Sequence, residues 1–209
     1  MSITILIIIV TVLVSYLAFS NPKTFEQLKH YPYQIQRDGS YYRILTGGLL
    51  HGDWMHLGIN MYVFYLFGSY VEQVYTAEFG TGKGRLLYFL LYFVSLIVAN
   101  FVTFLRHRQN PTFASVGASG AVSGVVFSFI VFNPWSMLLL FFIIPIPAIV
   151  FAVLYLFYSF YASRRGLQPY WDHEGHLYGS LAGLLFTLLL NFDFLTSFVQ
   201  KLMHPSFNF

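Results

Sequence analysis

The 209-residue sequence contains no cysteine, and few of its side chains carry a charge. Without cysteine, the chain has no disulfide bond, no thiolate nucleophile and no cysteine-ligated metal site. Charged residues make up 9% of the sequence, whereas a soluble domain usually carries about 25%. The formal net charge is only +3, and the Lys and Arg residues form no block of the kind that binds nucleic acid. These scarcities exclude a soluble globular domain, a disulfide-rich scaffold and a nucleic-acid-binding protein.

Apolar residues are abundant instead, at 57% of the chain, with aromatic residues at 21%. A helix that crosses a bilayer needs about 20 predominantly apolar residues, and the long uncharged runs of this chain approach that length. We therefore predict an all-α polytopic membrane protein that forms a single domain over residues 1–209. The six predicted transmembrane helices span residues 3–20, 54–75, 86–105, 119–133, 147–161 and 173–192.

Three segments admit more than one interpretation. The run Ile3–Phe19 has no Lys or Arg before it and only a weak cleavage site after it, so we predict a retained first span rather than a signal peptide. The glycine-containing segment Thr76–Arg85 is predicted as a turn. The apolar run Met137–Ile144 is too short to cross a bilayer and is followed by Pro145 and Pro147. It is predicted as a membrane-associated loop or as the first turns of the next helix.

Polar residues cluster where the second, fourth and sixth spans begin. Because successive spans alternate in direction, these three starts lie on the same side of the membrane. Ionisable and amide side chains within spans are costly and usually functional, so three clusters at one depth predict a site. The clusters comprise His51, Asp53, His56 and Asn60; Ser119; and His173, Glu174 and His176.

A serine and a histidine on different helices can supply a nucleophile and its general base. Serine needs a neighbour to take its proton, and histidine has a suitable pKa, so Ser119 and His176 are the candidate catalytic pair. Backbone N–H groups at Gly117 and at the helix start could meet a developing oxyanion. His56 and Asn60 lie four residues apart on one helical face and could add side-chain donors.

Two glycine pairs give the fourth and sixth spans a means of close approach. Gly120 and Gly124 form a G-x-x-x-G on the fourth span, and Gly179 and Gly183 form another on the sixth. Small residues at this spacing allow two membrane helices to pack with their backbones close together. Packing these two faces together would bring the candidate nucleophile and base into contact.

Several motifs resemble those of the rhomboid family of intramembrane serine proteases. The sequence GASG at 117–120 matches the family's GxSG around the nucleophile, and 175–183 is similar to its HxxGxxxG around the catalytic histidine. The segment 51–60 resembles the second-span pattern, in which a histidine and an asparagine support the oxyanion. Glu72 fits the end of that span. The resemblance extends over about residues 42–185.

The resemblance implies a rhomboid-like bundle and a serine endopeptidase that cleaves transmembrane segments of other membrane proteins with a Ser119–His176 dyad. It implies an oxyanion hole that includes His56 and Asn60, and no metal or other cofactor. The expected partners are transmembrane substrates and the lipid bilayer. The implied location is the plasma (inner) membrane, with the site open to the extracytoplasmic face.

Two departures from the family pattern bear on the site. The first-loop Trp-Arg pair of the family is Tyr42-Arg43 here, which keeps the cation and an interfacial aromatic ring, so we expect the loop to be preserved. One turn after the nucleophile, the family often has an aromatic residue on which the histidine rests, and this chain has Ser123. Phe127, a further turn along, is a candidate replacement for that ring beside His176.

The charge distribution and the resemblance predict opposite orientations. Lys and Arg residues are more frequent in the first, third and fifth loops than on the other side. The positive-inside rule therefore places the candidate site in the cytoplasm, whereas the family topology, which we favour, places it outside. The first group comprises Lys23, Lys29, Arg37, Arg43, Arg106, Arg108, Arg164 and Arg165, and the second comprises Lys83, Arg85 and Lys201.

Other functions fit the sequence less well. A metalloprotease helix needs H-E-x-x-H, whereas His173 and His176 are three residues apart. An aspartyl protease needs an aspartate within each of two spans, whereas Asp53, Asp172 and Asp193 all fall at span ends. A transporter or channel would carry carboxylates near mid-span, where the predicted spans of this sequence have none. A catalytically inactive rhomboid-like protein that binds transmembrane helices is the main alternative, although such proteins usually lose the serine or the histidine.

Overall fold

The computed structural model describes residues 2–140, 143–165 and 172–205, which form ten α-helices, a 3-10 helix at Gly47–Leu49 and a two-stranded antiparallel hairpin. The helices are α1 (Ile3–Ser20), α2 (Pro22–Leu28), α3 (Pro32–Asp38), α4 (Arg43–Thr46), α5 (Trp54–Phe79), α6 (Thr81–His107), α7 (Ser119–Phe132), α8 (Ala148–Arg165), α9 (His173–Leu190) and α10 (Phe192–Met203). The strands are β1 (Met137–Leu140) and β2 (Ile144–Pro147).

The predicted fold class, a helical membrane bundle, is confirmed. Helices α1 and α5 to α9 overlap the six predicted spans. Within the described residues, α1 and α6 are each long and apolar enough to cross a membrane. Helices α9 and α10 would give a third such segment if they are taken as one span with a 111° bend.

Helix α7 occupies the centre of the bundle. Every residue of α7 except Ser119 and Phe129 is buried, and α5, α6 and α9 pack around it. A helix that is apolar on all sides is suited to such burial. The candidate nucleophile therefore lies at the end of the most enclosed helix in the described chain.

The predicted glycine pairs lie where α7 meets α9. A Cβ atom on Gly179 would collide with the backbone of Gly120, and one on Gly183 would collide with the backbone of Gly124. A side chain at Gly120 would come within 2.7 Å of the Ala99 Cβ on α6. The two helix backbones are thus in direct contact, which only glycine permits.

A buried carboxylate holds the start of α1. Glu72 on α5 accepts hydrogen bonds from the backbone N–H groups of Ile3 at 2.8 Å and Thr4 at 2.9 Å, and its neighbour Arg85 lies 3.7 Å away. The first N–H groups of a helix have no partner within the helix, and leaving them unpaired is costly away from water. Glu72 therefore fastens α1 to α5.

Two predicted connections have a different structure. The segment predicted as a turn at Thr76–Arg85 is almost wholly helical, because α5 continues to Phe79 and α6 begins at Thr81. The chain reverses at Gly80 alone, whose φ of 79° favours glycine. The run Met137–Ile144 was predicted as a loop or helical turns, but it contributes β1 and the start of β2 instead. A strand pairing satisfies backbone groups that a loop would leave open. The connection between the spans predicted at 147–161 and 173–192 begins only after α8 ends at Arg165, and residues 166–171 lie outside the described residues.

The first loop is built around Arg43, which is buried. Its guanidinium donates to the backbone carbonyls of Glu26 at 2.7 Å and Lys29 at 3.1 Å, at the end of α2. It also lies 5.6 Å from the centre of the Tyr42 ring. The expected cation–aromatic pair of the loop is therefore present, and the cation satisfies helix carbonyls that have no intrahelical partner.

Helix α10 is an element that the sequence analysis did not anticipate. It follows α9 after the bend at Asn191, whose side chain caps the new helix. Lys201 donates to the carbonyl of Phe132 at 2.7 Å, and the Trp135 indole donates to the carbonyl of Lys201 at 2.7 Å. These bonds fix α10 against the end of α7 that lies opposite Ser119.

Candidate active site

Ser119 and His176 are in hydrogen-bonding contact. The Ser119 Oγ lies 2.7 Å from the His176 Nε2. Ser119 is the first residue of α7, and His176 lies in the first turn of α9. The contact between α7 and α9 backbones at the glycine pairs brings these two helix starts together, so the pairing follows from helix packing rather than from sequence proximity.

Both the backbone conformation and the limited space at residue 117 require glycine. Its φ is 129°, and an added Cβ would lie 2.9 Å from the His56 ring and 3.6 Å from the Ser119 Oγ. Its N–H donates to the Gly47 carbonyl at 3.0 Å. The expectation that this N–H would be available to an oxyanion is therefore wrong, because the first loop already uses it. The role of Gly117 is steric.

His56 and Asn60 lie on α5 beside the nucleophile. The His56 ring approaches Gly117, two residues before Ser119. The Asn60 side chain is buried, lines the cavity next to Ser119 and donates one amide hydrogen to the His56 carbonyl at 3.0 Å. An amide NH2 group has two hydrogens. Asp53 caps the start of α5 by accepting from the His56 N–H at 2.8 Å, which holds this turn in place.

His51 is a site residue whose role the sequence analysis left unassigned. Its Nδ1 lies 3.1 Å from the Ser15 Oγ, and its Nε2 lies 3.5 Å from the backbone N of Ala118. Since Ser15 donates to the Leu49 carbonyl at 3.0 Å, the consistent arrangement has Nδ1–H donating to Ser15 and Nε2 accepting from Ala118. Burial lowers the pKa of His51 to about 3, which keeps the ring neutral as this arrangement needs.

Asp172 fixes the first turn of α9. Its carboxylate accepts from the Gly175 N–H at 2.7 Å, from the Thr103 hydroxyl at 2.9 Å and from the Ser115 hydroxyl at 3.3 Å. Burial raises the pKa of Asp172, and the bonds from Gly175 and Thr103 oppose that rise. The residue thereby joins α9 to α6 and to the loop before α7, which orients His176 toward Ser119.

Glu174, the carboxylate nearest to the histidine in sequence, faces other partners. Its oxygens accept from Arg106 at 2.7 Å and from Ser163 at 2.9 Å, and lie 3.2 Å from His107. Arg106 and His107 belong to the end of α6 and Ser163 belongs to α8, away from Ser119. The carboxylate therefore links α9 to α6 and α8. Among the described residues, no three His, Asp or Glu side chains are grouped so that they could hold a metal ion.

Two cavities adjoin the Ser119 side chain. The larger, of about 240 Å³, is apolar and lies among α5, α7 and α8. The smaller, of about 10 Å³, is polar and close to the size that one water molecule needs. The larger is lined by Ile59, Asn60, Val63, Ser119, Val122, Ser123, Val126, Phe127, Phe151 and Tyr155. The smaller is lined by Asn100, Ser115, Val116, Gly117, Ser119, Gly120, Asp172, Gly175 and His176.

The model of a known family matches most of the chain. Residues 38–191 match the model of the Rhomboid domain. This chain belongs to the rhomboid family. The resemblance inferred from the GASG, histidine–glycine and second-span motifs is thereby confirmed, and with it the membrane location of the chain.

Two curated relatives come from eukaryotic organelles. The chain is 34% identical over 86 residues to the Arabidopsis thaliana Rhomboid-like protein 11, chloroplastic, a match that covers 41% of this chain and 27% of the relative. It is 28% identical over 172 residues to the Saccharomyces cerevisiae Rhomboid protein 1, mitochondrial, covering 79% of this chain and 46% of the relative. The rhomboid chain therefore spans less than half the length of these relatives.

Proposed function

We propose that this rhomboid is an intramembrane serine endopeptidase that cleaves transmembrane segments of other membrane proteins. The observation that carries the proposal is the 2.7 Å contact between Ser119 Oγ and His176 Nε2, made between two helices whose backbones touch. A serine so placed beside a histidine can be deprotonated as it attacks. The membership of the chain in a family of membrane proteins supports the choice of a transmembrane substrate.

The reaction has two stages, acylation and deacylation. His176 takes the proton of Ser119 as the oxygen attacks the substrate carbonyl, and then gives that proton to the departing amine. Water attacks the resulting ester, with the same histidine accepting the proton of the water and returning one to Ser119. The polar cavity beside both side chains supports the access of a water molecule to the ester.

The oxyanion of each tetrahedral intermediate needs donors next to Ser119. We assign this role to the Ser119 N–H, which lies in the first turn of α7, and to the side chains of His56 and Asn60. First-turn N–H groups have no intrahelical acceptor, and Asn60 keeps a second amide hydrogen for the purpose. Donors aimed at the developing charge are commonly the largest single source of rate enhancement.

The apolar cavity suggests how a substrate segment is held. Its walls are formed by Ile59 and Val63 on α5 and by Phe151 and Tyr155 on α8, so an apolar side chain flanking the cleaved bond would fit there. The peptide carbonyl must be freed from helical hydrogen bonding before attack. We therefore expect substrates with small residues at the cleaved bond and a helix-destabilising segment beyond it.

The test of the proposal is cleavage of a model transmembrane substrate after reconstitution in liposomes. Ser119→Ala and His176→Ala are each expected to abolish cleavage while the protein still inserts, because loss of a nucleophile or base costs many orders of magnitude. The exposed Ser20 and His204 provide matched controls, and Ser20→Ala and His204→Ala should cleave as the wild type does. A wild-type protein that binds the substrate without cutting it would favour the alternative of an inactive rhomboid-like protein.

We further propose that the site opens to the extracytoplasmic face of the plasma (inner) membrane, against the positive-inside rule. The chain has no cysteine, so single cysteines can report orientation. Gln27 lies in the first loop, on the side of Ser119, and Gly82 lies on the opposite side, and both are exposed. A Gln27→Cys protein should react with an impermeant reagent in intact cells. Reaction of Gly82→Cys instead would establish the opposite orientation.

A further inference from the structure

An aromatic ring from α8 lies next to the candidate base. The Tyr155 ring centre is 6.2 Å from that of His176, and the two rings are inclined by only 24°. Phe127, which the sequence analysis put forward for this position, packs against Tyr155 with the ring centres 5.9 Å apart. The family pattern places an aromatic residue on the nucleophile helix, whereas here the neighbouring ring comes from a different helix.

Two contacts, one to the hydroxyl and one to the ring, hold the Tyr155 side chain in place. Its hydroxyl lies 2.7 Å from the Ser123 Oγ, and its ring stacks on Phe151 with a centre-to-centre distance of 5.4 Å. Ser123 is one helical turn after Ser119, so its small side chain leaves space for the tyrosine and its hydroxyl holds the tyrosine in place. The serine and the tyrosine thus form one unit.

We infer that Tyr155 is a positioning residue for His176, with Ser123 holding it in register. The inference rests on the proposed function, in which His176 is the base. The ring restricts the imidazole to the orientation in which Nε2 meets the Ser119 Oγ. Since Tyr155 also lines the apolar cavity, the alignment of the base depends on the helix that forms one wall of the substrate site.

The consequence for the reaction is specific. A residue that only lines the substrate cavity changes substrate binding, and thus KM, whereas a residue that orients the base changes kcat. A misplacement of about 1 Å can lower the rate about 100-fold. The reaction of Ser119 with a small fluorophosphonate needs the aligned dyad but makes little use of the cavity, so it separates the two roles.

The experiment compares Tyr155→Leu, Tyr155→Phe and Ser123→Ala with the wild type by fluorophosphonate labelling rate and by kcat and KM for a model substrate. Tyr155→Leu removes the ring and should lower the labelling rate and kcat by about 10- to 100-fold. Tyr155→Phe and Ser123→Ala keep the ring but remove the bond between the two side chains, so both should lower the rate by a smaller factor than Tyr155→Leu does. Phe157→Leu, at an exposed position on the same helix, is the matched control and should react as the wild type does.

A reciprocal exchange keeps the test decisive if Tyr155→Leu does not insert. Ser123→Tyr alone would drive a second ring into the space that Tyr155 occupies, so its labelling rate should fall. Ser123→Tyr combined with Tyr155→Ser moves the ring to α7 and should react faster than Ser123→Tyr alone. No recovery in the double variant would contradict the positioning role.

The outcomes separate this role from the proposed function. A reactive wild type together with a Tyr155→Leu protein that labels at the wild-type rate and differs only in KM would overturn the positioning role alone. A wild type whose Ser119 does not react would overturn the proposed function and the positioning role together. Slower labelling and a lower kcat in Tyr155→Leu, with a smaller loss in Tyr155→Phe and in Ser123→Ala, would establish the role.

Discussion

The α7–α9 pair and helix α8 border the same site but are held by different means. Helices α7 and α9 touch through their backbones at Gly120, Gly124, Gly179 and Gly183, which leaves little freedom for relative movement. Helix α8 meets the site through side chains, among them Tyr155 and Phe151. The proposed nucleophile and base therefore lie on the rigid pair, whereas a wall of the cavity belongs to the helix with the more adaptable contacts.

The largest effect is expected from breaking the rigid pair. Gly179→Val would place a side chain against the Gly120 backbone, and backbone cannot yield as a flexible side chain can. Overpacking of this kind costs about 1–3 kcal/mol or more, and the dyad would separate. We expect loss of both folded protein and cleavage, measured by SDS-induced unfolding and by substrate turnover.

Gly58→Ala is the matched control for that substitution. An added Cβ at Gly58 would meet no described atom within 4 Å, and alanine favours a helix interior over glycine by about 1 kcal/mol. This variant should be as stable as the wild type or more so. Equal stability of Gly179→Val and the wild type would mean that the α7–α9 contact is not fixed as described.

A second substitution leaves the α7–α9 pair and α8 intact. Asn60→Ala removes a proposed oxyanion donor without disturbing α7, α8 or α9, and the loss of one such donor lowers kcat by about 10²–10³. We expect this loss with little change in the unfolding midpoint. An unchanged kcat would make Asn60 a packing residue only.

A third prediction concerns the start of α1, whose backbone N–H groups are bound by the Glu72 carboxylate. Glu72→Gln removes the charge that accepts from Ile3 and Thr4, and hydrogen bonds to charged groups contribute about 1.5–3 kcal/mol. We expect a loss of unfolding free energy in this range. Glu78→Gln, at an exposed position one turn and a half further along α5, should lose far less. Equal losses in both variants would argue against Glu72 as the anchor of α1.

A fourth prediction is a pH dependence that belongs to His51. Its pKa in the folded protein is lowered to about 3 by burial, so protonation favours the unfolded chain. The stability that this group contributes is present above its usual pKa of about 6.5 and is lost as the pH falls toward 3, at about 1.4 kcal/mol per pH unit. His51→Gln should reduce the slope of unfolding free energy against pH between 6 and 4. An unchanged slope would show that the ring is not buried in its neutral form.

Much of the bundle could be predicted because hydrophobic length fixes where spans lie and alternation fixes which starts share a side. Ser119, His176, His56 and Asn60 could be grouped on that basis before any packing was known. The bend at Asn191 and the pairing of β1 with β2 could not, because short apolar segments have no distinguishing periodicity. Nor could the approach of Tyr155 to His176, since it depends on how α8 packs against α9.

Gly117 illustrates a different limit. Its place in the GASG motif indicated closeness to the nucleophile, and the structure places it there. The motif did not reveal that its N–H is already bound to the Gly47 carbonyl, because that partner is 70 residues away in the sequence. A motif predicts which residues meet, whereas the partner of each backbone group requires the packed chain.

The central claim, that Ser119 is a nucleophile activated by His176, is tested most directly by locating a covalent adduct. The purified rhomboid is treated with a fluorophosphonate and digested, and the modified residue is identified by mass spectrometry. The account predicts a single adduct on Ser119 that disappears in His176→Ala, whereas His204→Ala keeps it. An adduct on another serine, or an equally fast reaction of Ser119 without His176, would contradict the account.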